Sequence, residues 1–310
     1  MKPNSAFTSL LFPVDFSPMS TAMVPHVRGL AQFMGAKVTL LHVVPWLSAW
    51  YGTTELLPPI PGDDGLQALE REMAGALEAF QQQHFPDLPC QRRLELGAVA
   101  ETIVETAEKI GADLIIIPTR GLGRSRPFLI GSTTAKVLHD AFCEVWTSPH
   151  LHALPPFRPY RHILCTIDRD QIPSGFLEEA VRLATCWGSE LSFITAQPST
   201  TGGCGDERRI RDLSREFPQA HTKQLAFPKD CRVLTRTGPV GDVVRQTVES
   251  EGMDLVLAHR GHLPQQFGKF RTHTYEIVLE SPCPVLSLCL PKSAPAGHHA
   301  REQEPVACAE

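Results

Sequence analysis

The chain has 310 residues, of which 42% are hydrophobic and 20% are charged, and its formal net charge is −5 at pH 7. This length suggests about two domains, and the small acidic charge excludes a basic surface of the kind that coats nucleic acid. No apolar run is long enough for a membrane span, and the first residues lack the pattern of a signal peptide. We therefore expect a cytoplasmic protein with no nucleic acid and no membrane as partner.

The predicted elements alternate between strands and helices. Residues 10–14 are a short apolar run that predicts a buried strand. The next segment predicts a helix that Ser17 or Ser20 caps and Gly35 ends, with one apolar face formed by Ala22, Val27, Leu30, Ala31 and Met34. A longer helix over residues 65–85 has its apolar face at Leu66, Leu69, Met73, Leu77 and Phe80. The remaining predicted elements are strands at 37–44, 90–96, 113–117 and 144–148 and helices at 99–111 and 132–142.

This alternation, with strands that are almost continuously apolar, predicts a parallel sheet that is covered by helices on both faces. Right-handed crossovers then give a doubly wound α/β unit. In such sheets a ligand binds outside the carboxyl ends of the strands, at the switch point of the strand order. Asp15 after strand one, residues 42–45 at the end of strand two and the loop after strand four all reach that edge.

The chain is also an internal repeat. "LLFPVDFSP" at 10–18 matches "ILCTIDRDQ" at 163–171, and "GAKVTLLHVVP" at 35–45 matches "GSELSFITAQP" at 188–198 with the same offset. Residues 97–117 and 142–148 match 238–257 and 282–288, so the second copy has a shorter middle. We expect two tandem units at 1–150 and 160–290, a Pro- and His-rich linker at 151–159 and a disordered tail at 291–310.

The segment "PTRGLGRSRPFLIGSTT" at 118–134 has the composition of a phosphate-binding loop. A helix N-terminus attracts anions, and here it is preceded by glycines that permit tight turns and by arginines. Neither the P-loop nor the dinucleotide fingerprint is present. From spacing alone two interpretations stay open: an anion site, or a helix cap beside a solvated loop. Asp15 alone is read first as a cap of the following helix.

Four segments of the unit resemble the universal stress protein family: "LLFPVDFSP", "VTLLHVVP", "ADLIIIPTRG" and "GSTTAKVLHDAFCEVW". The resemblance covers both halves, about residues 7–148 and 160–290, and the chain looks like a tandem member. It implies two doubly wound parallel-sheet units of the universal stress protein/adenine nucleotide alpha hydrolase-like fold. Family members are cytoplasmic stress-induced proteins, many of which bind ATP while others do not.

The family's ATP signature is Gly, two residues, Gly, nine residues, Gly, then Ser or Thr. Here Gly121 and Gly131 fit the second and third glycines, and Pro118 stands at the first. The resemblance implies that Asp15 and the backbone near Val43 contact ribose and adenine. The phosphates are expected to meet Gly121, Gly131, Ser132 and Thr133. The full predicted site for ATP, with Mg²⁺ as its companion, is Pro13, Val14, Asp15, Val43, Pro118, Arg120, Gly121, Gly123, Arg124, Gly131, Ser132 and Thr133.

Pro118 and the second copy weaken this prediction. Proline removes one N–H donor and fixes φ, so an ATP site is weakened, and a steric clash of its ring would abolish it. In the second copy the signature aligns with Ala258, Gly261 and Arg271, after a strand four that reads one residue shorter. We expect the Arg271 side chain to block the second pocket.

Three functions follow as hypotheses. The first is a stress-response protein that binds ATP or a related adenine nucleotide in the N-terminal unit. The alternative is a module without nucleotide that acts by docking partners. An enzyme such as a nucleotide hydrolase ranks last, because no dedicated base and no P-loop lysine are visible, although slow hydrolysis is compatible with binding.

The quaternary prediction is a pseudo-dimer of the two units within the chain. The resemblance implies it, because the final strand of family members often pairs across a two-fold axis, and here "EVWTS" and "PVLSLCL" would pair within one chain. A further homodimer of chains stays open. Residues 46–65 predict a loop near the mouth of the cleft. The nine cysteines form no C-x-x-C pair, which predicts reduced thiols that act as small hydrophobic groups.

Overall fold

The structure is a computed structural model, and it describes residues 6–45, 63–119, 130–148, 157–168, 172–173, 175–197, 208–209, 231–260 and 273–289. The elements of the first unit are β1 (Ser9–Pro13), α1 (Pro18–Met34), β2 (Lys37–Pro45), α2 (Asp63–His84), β3 (Cys90–Gly97), α3 (Val99–Ile110), β4 (Leu114–Ile117), α4 (Ser132–Asp140) and β5 (Glu144–Thr147). Those of the second unit are β6 (His162–Thr166), α5 (Phe176–Trp187), β7 (Glu190–Gln197), β8 (Arg208–Arg209), β9 (Arg232–Thr237), α6 (Val240–Glu251), β10 (Leu255–His259), α7 (His273–Glu280) and β11 (Val285–Leu288).

All of these strands belong to one sheet, whose order is β3-β2-β1-β4-β5-β11-β10-β6-β7-β9-β8. Within each unit the main strands are parallel, and β1 lies between β2 and β4 as β6 lies between β7 and β10. The chain therefore winds outward in both directions from the first strand of each unit, which confirms the predicted doubly wound α/β fold. The short strand β8, which pairs antiparallel with β9, was not predicted.

Alternate residues of each strand supply two cores, one on each face of the sheet. In β1 the fully buried Leu10 and Phe12 face one core and Leu11 faces the other. Helices α1, α2 and α5 cover the first face, while α3, α4, α6 and α7 cover the second. Because both faces are covered, the strands carry apolar residues in succession, as the sequence indicated.

Helix α1 begins and ends at the predicted residues. The Ser17 hydroxyl accepts a hydrogen bond from the Ser20 backbone N–H (3.1 Å), which caps the helix. Gly35 ends it with φ of 67°, a left-handed conformation that glycine adopts without steric cost. In α2 the predicted apolar face is only partly right. Leu77 is buried, whereas Leu69 is 37% exposed because the first turns of the helix do not contribute to the core.

The two units join at a seam, which we define as the antiparallel pair β5 and β11. Val145 pairs with Ser287 and Thr147 pairs with Val285. This confirms the predicted pairing of the last strands and makes the chain a pseudo-dimer of its two units. Trp146, at the centre of β5, is almost fully buried. The seam is thus a continuous part of the sheet and of both cores.

The segment before β6 binds the second unit to the first. The Tyr160 hydroxyl accepts a hydrogen bond from Trp146 Nε1 (2.9 Å) and lies 3.0 Å from His26 Nε2 on α1. Phe157 packs so closely on α1 that a Cβ at Gly29 would lie 2.5 Å from the Phe157 Cβ. Glycine at this position therefore permits the contact between the segment and the helix.

Among the described helices, none combines the length and the apolar character that a bilayer span requires.

Candidate functional site

The switch point of the first unit lies between β1 and β4, where the connections leave in opposite directions. The ends of β1 and β2 reach this edge. The start of α4 lies there too, because the Thr134 hydroxyl donates to the Pro118 carbonyl (2.8 Å) directly after β4. The predicted site residues found at this edge are Pro13, Val14, Asp15, Val43, Pro118, Gly131, Ser132 and Thr133. The predicted site residues that lie outside the described residues are Arg120, Gly121, Gly123 and Arg124.

Asp15 is fixed by the turn that leads into α1. Its Oδ1 accepts hydrogen bonds from the Ser17 backbone N–H (3.0 Å) and from the Ser20 hydroxyl. The carboxylate therefore stabilises the start of α1, as its interpretation as a cap predicted, although the N-cap residue itself is Ser17. The side chain is half-buried, and these bonds hold it at the carboxyl end of β1.

Phe16 is a feature of this edge that the sequence did not reveal. Its φ is 57°, and among the described residues it is the non-glycine residue with a positive φ. Such a conformation costs roughly 1–3 kcal/mol and persists only where neighbours hold it. Here the ring stacks on His42 (centroids 4.5 Å apart) and meets Phe80 edge-on (5.9 Å). His42 in turn is anchored through Nδ1 to the Val14 carbonyl (2.7 Å), so an aromatic pair lies beside Val43.

The N-terminus of α4 lies at the edge of the first cleft. Gly131 is its N-cap, and its N–H donates to the Thr119 carbonyl (2.8 Å), which closes the base of the preceding loop. As a glycine, this N-cap has no side chain to bond to the first turn of the helix. Ser132 is exposed and Thr133 is partly exposed. The first turn therefore presents N–H groups and the positive end of the helix dipole, which together attract an anion.

Contacts at the second cleft correct the alignment of the two loops. The Thr274 hydroxyl donates to the His259 carbonyl (2.8 Å), as the Thr134 hydroxyl donates to that of Pro118. By contact, His259 rather than Ala258 is therefore the counterpart of Pro118. The prediction of a shorter strand four was wrong: β10 has five residues and β4 has four. The second copy is instead one residue shorter after the strand, between His259 and Thr274.

The second cleft contains a cavity of about 440 Å³, at the carboxyl ends of β6 and β10. Its walls include Asp168, the repeat counterpart of Asp15, and His273 at the start of α7. Leu138 and His139 of α4 complete the wall from the first unit. This volume lies within the usual range for small-molecule sites. Arg271, which was expected to block the pocket, lies outside the described residues.

Arg260 is the second residue that sequence reasoning missed. It is 6% exposed, and its guanidinium donates to the carbonyls of Leu138 (2.9 Å), Ala141 (2.7 Å) and Cys143 (2.6 Å). The first two carbonyls belong to the C-terminal end of α4, where backbone acceptors lack partners within the helix, and the third lies between α4 and β5. Burial lowers the pKa of Arg260, but an arginine remains charged in proteins. The signal that the sequence offered for this role was an arginine placed directly after a buried strand.

A hydrogen bond from α7 adds a second contact between α4 and the second unit. The Tyr275 hydroxyl donates to the Ala135 carbonyl, and burial raises the pKa of Tyr275 to about 12. Helix α4 therefore has its N-terminus at the first cleft and its C-terminal end in the wall of the second. The two clefts share one structural element, although they belong to different units.

Comparison with known proteins identifies the repeat. The profile of the universal stress protein family matches residues 6–149 and 159–288. Universal stress protein A homolog 1 of Coxiella burnetii is 29% identical over 140 residues, which are 45% of this chain and 94% of the relative. Universal stress protein Sll1654 of Synechocystis is 28% identical over 148 residues, 46% of this chain and 86% of the relative.

Solved structures share the tandem architecture. A universal stress protein from Archaeoglobus fulgidus superposes with a TM-score of 0.63 at 16% identity, over 92% of this chain and 96% of its own. A putative universal stress protein from Pseudomonas aeruginosa gives a TM-score of 0.56 at 15% identity, over 92% of this chain and 94% of its own. At these identities the likeness shows the fold alone. With the profile matching both halves, the chain belongs to the universal stress protein family and carries two of its units in tandem.

Proposed function

We propose that this stress protein binds ATP or a related adenine nucleotide in its N-terminal unit. The observation that carries the proposal is the N-terminus of α4, which has no side-chain cap and lies at the switch point beside the end of β1. Anions bind at such helix ends, and nucleotides bind at such switch points. The spacing of Gly121 and Gly131 in the sequence fits the family's ATP signature.

The residues at this edge divide into an adenosine end and a phosphate end. Pro13, Val14, Asp15 and Val43 would face ribose and adenine, next to the ring pair of Phe16 and His42. Ser132 and Thr133 would receive the phosphates with their N–H groups and hydroxyls. No cluster of three metal-ligating side chains exists among the described residues, so Mg²⁺ would be bound through the phosphates of the nucleotide rather than by a protein cage.

Pro118 is compatible with this proposal in one respect. Its buried backbone carbonyl is bonded to Thr134, and this contact recurs at His259 in the second unit. The residue at this position thus accepts the same hydrogen bond whether it is proline, which lacks an N–H, or histidine, which has one. We therefore expect Pro118 to reduce affinity by the loss of one donor, about tenfold at most.

The test is calorimetric titration of ATP with Mg²⁺ into nucleotide-free protein, with Ser132→Pro as the diagnostic variant. Proline is favoured at the first position of a helix, so it removes one N–H while α4 is kept. We expect binding of one nucleotide per chain, weakened about tenfold by Ser132→Pro. The matched control is His273→Pro at the first position of α7, which should leave this affinity unchanged.

Each alternative outcome has a distinct meaning. Two nucleotides per chain, with one lost in His273→Pro, would extend binding to the second cleft. Absence of binding at millimolar ATP would exclude the proposal and favour the second candidate, a module that acts by docking partners. The contacts of Arg260, Tyr160 and Tyr275 across the units favour that candidate specifically, because they make the pseudo-dimer one rigid surface.

We extend the proposal to the organisation of the chain. The units are assigned to 1–150 and 160–290, with 151–159 as linker and 291–310 as tail. A cytoplasmic location and a homodimer of chains are part of the same proposal. Light scattering of the purified chain tests the homodimer.

A further inference from the structure

The seam sets two cysteines opposite each other, one from each unit. In its antiparallel register Ser287 pairs with Val145. Continued by two residues, to the position just after β11 and the position just before β5, this register brings Cys289 opposite Cys143. Directly opposed residues of an antiparallel pair have Cα atoms about 4.5–5.5 Å apart, and their side chains point to the same face of the sheet. A disulfide needs Cα atoms about 4.4–6.8 Å apart, so the register satisfies its geometric requirement.

Arg260 contacts the main chain close to both positions. Its backbone N–H donates to the carbonyl of Leu288 (2.9 Å), the residue before Cys289. Its guanidinium donates to the carbonyl of Cys143 (2.6 Å). One residue thus contacts the main chain at both cysteine positions. Electrostatics point the same way, since Cys289 is among the groups that raise the pKa of Cys143 and both thiols act on the pKa of Arg260.

Neither cysteine is in a disulfide, and both are partly buried. Burial raises the pKa of Cys143 to about 12 and also raises that of Cys289, while Arg260 opposes the rise at both. The thiolate is the reactive form of cysteine. Because burial favours the protonated thiols, we expect the pair to react slowly and to need a strong or sustained oxidant.

We propose that Cys143 and Cys289 form an oxidation site, at which a peroxide joins them as a disulfide that links the two units across the seam. The peroxide transfers one oxygen to the first sulfur, which becomes a sulfenic acid, and one water leaves. The second sulfur then attacks the sulfenic sulfur. The S–S bond forms, the S–O bond breaks, and the hydroxide leaves with the thiol proton as a second water. Two thiols lose two electrons, and the O–O bond of the peroxide accepts them.

The experiment uses the full chain, reduced and then freed of reductant. Hydrogen peroxide is the probe, remaining thiols are alkylated, and the protein is digested without reduction for mass spectrometry. We expect a linked peptide pair containing Cys143 and Cys289, absent before peroxide and lost on reduction. On a non-reducing gel the oxidised chain should keep the mobility of a monomer, because the link is within one chain.

Three variants make the result specific. Cys143→Ser and Cys289→Ser should each abolish the linked pair, while Cys90→Ser, at the far edge strand β3, should leave it unchanged. The oxidised wild type should unfold at a higher temperature than the reduced form, and oxidised Cys289→Ser should show no such shift. Should Cys143→Ser fail to fold, the half-exposed Cys289→Ser still provides the comparison.

Two results would overturn the proposal. One is oxidation of Cys143 and Cys289 to sulfinic acid without any peptide that joins them. The other is a linked pair that appears only in dimers of the chain, since the seam would then not be the site of the reaction.

Discussion

Replacement of Arg260 by methionine should destabilise the protein by about 3–5 kcal/mol. Methionine keeps the apolar stem of the side chain but removes every donor that reaches α4. The carbonyls of Leu138, Ala141 and Cys143 are then left without their partner in a buried position. An unsatisfied buried acceptor costs about 1–3 kcal/mol, so three of them would cost about 3–9 kcal/mol. Partial access of water to this region keeps the expected total in the lower part of that sum.

The assay is urea denaturation at constant pH, followed by the fluorescence of tryptophan. Trp146 lies at the centre of the seam and is almost fully buried, so its emission reports separation of the units. The control is Arg182→Met on α5. Arg182 forms an exposed ion pair with Glu179, and the loss of such a pair costs only about 0–1 kcal/mol.

Arg260→Lys refines the test. An ammonium has three donors but lacks the planar fork of guanidinium, so it cannot reach the same set of carbonyls. We expect Arg260→Lys to recover less than half of the loss. If Arg260→Met shifted the denaturation midpoint no more than Arg182→Met does, the argument that Arg260 holds α4 to the second unit would be refuted.

Two further predictions concern the seam and its linker. Gly29→Ala should destabilise the protein by about 1–3 kcal/mol in urea denaturation, through overlap with Phe157. Gly75→Ala, with open space around it, should be neutral or stabilising in the same assay. Burial raises the pKa of Glu144 from 4.5 to about 7. The folded state then binds the extra proton, so stability is fully present below pH 4.5 and falls as the pH rises to about 7, by at most about 3 kcal/mol. Glu144→Gln should remove this component of the pH profile, and Glu72→Gln on the exposed face of α2 should not. A wild-type profile that is unchanged by Glu144→Gln would contradict the assignment.

The order of strands and helices could be predicted because each is encoded locally. Buried strands carry consecutive apolar residues, and α1 carries its own start and stop signals in Ser17 and Gly35. The second copy shows the same order of apolar and helical segments, which supports the prediction of each element in the first. The switch point followed from the strand order, and with it the edge at which Asp15 and the start of α4 meet. The antiparallel seam was implied by the family resemblance rather than by any local pattern.

Features that depend on distant contacts could not be predicted. The positive φ of Phe16 is held by His42 and Phe80, which belong to other elements. The role of Arg260 requires knowledge that the end of α4 lies against the second unit. The alignment of Pro118 with Ala258 was wrong by one residue. It followed residue types along the two loops, whereas the hydrogen bonds from Thr134 and Thr274 show that His259 is the counterpart of Pro118.

The two units are held together by more than the chain that links them. The two units are joined by one stretch of chain, but they are also joined by paired strands, shared cores and the Tyr160 contacts on α1 and β5. A protease that cut the segment between the units would therefore leave a single particle with two polypeptides. Each half alone would expose the edge of β5 or β11, an unpaired strand that invites association. A half expressed by itself is thus expected to recover the lost partner by pairing with its own copy.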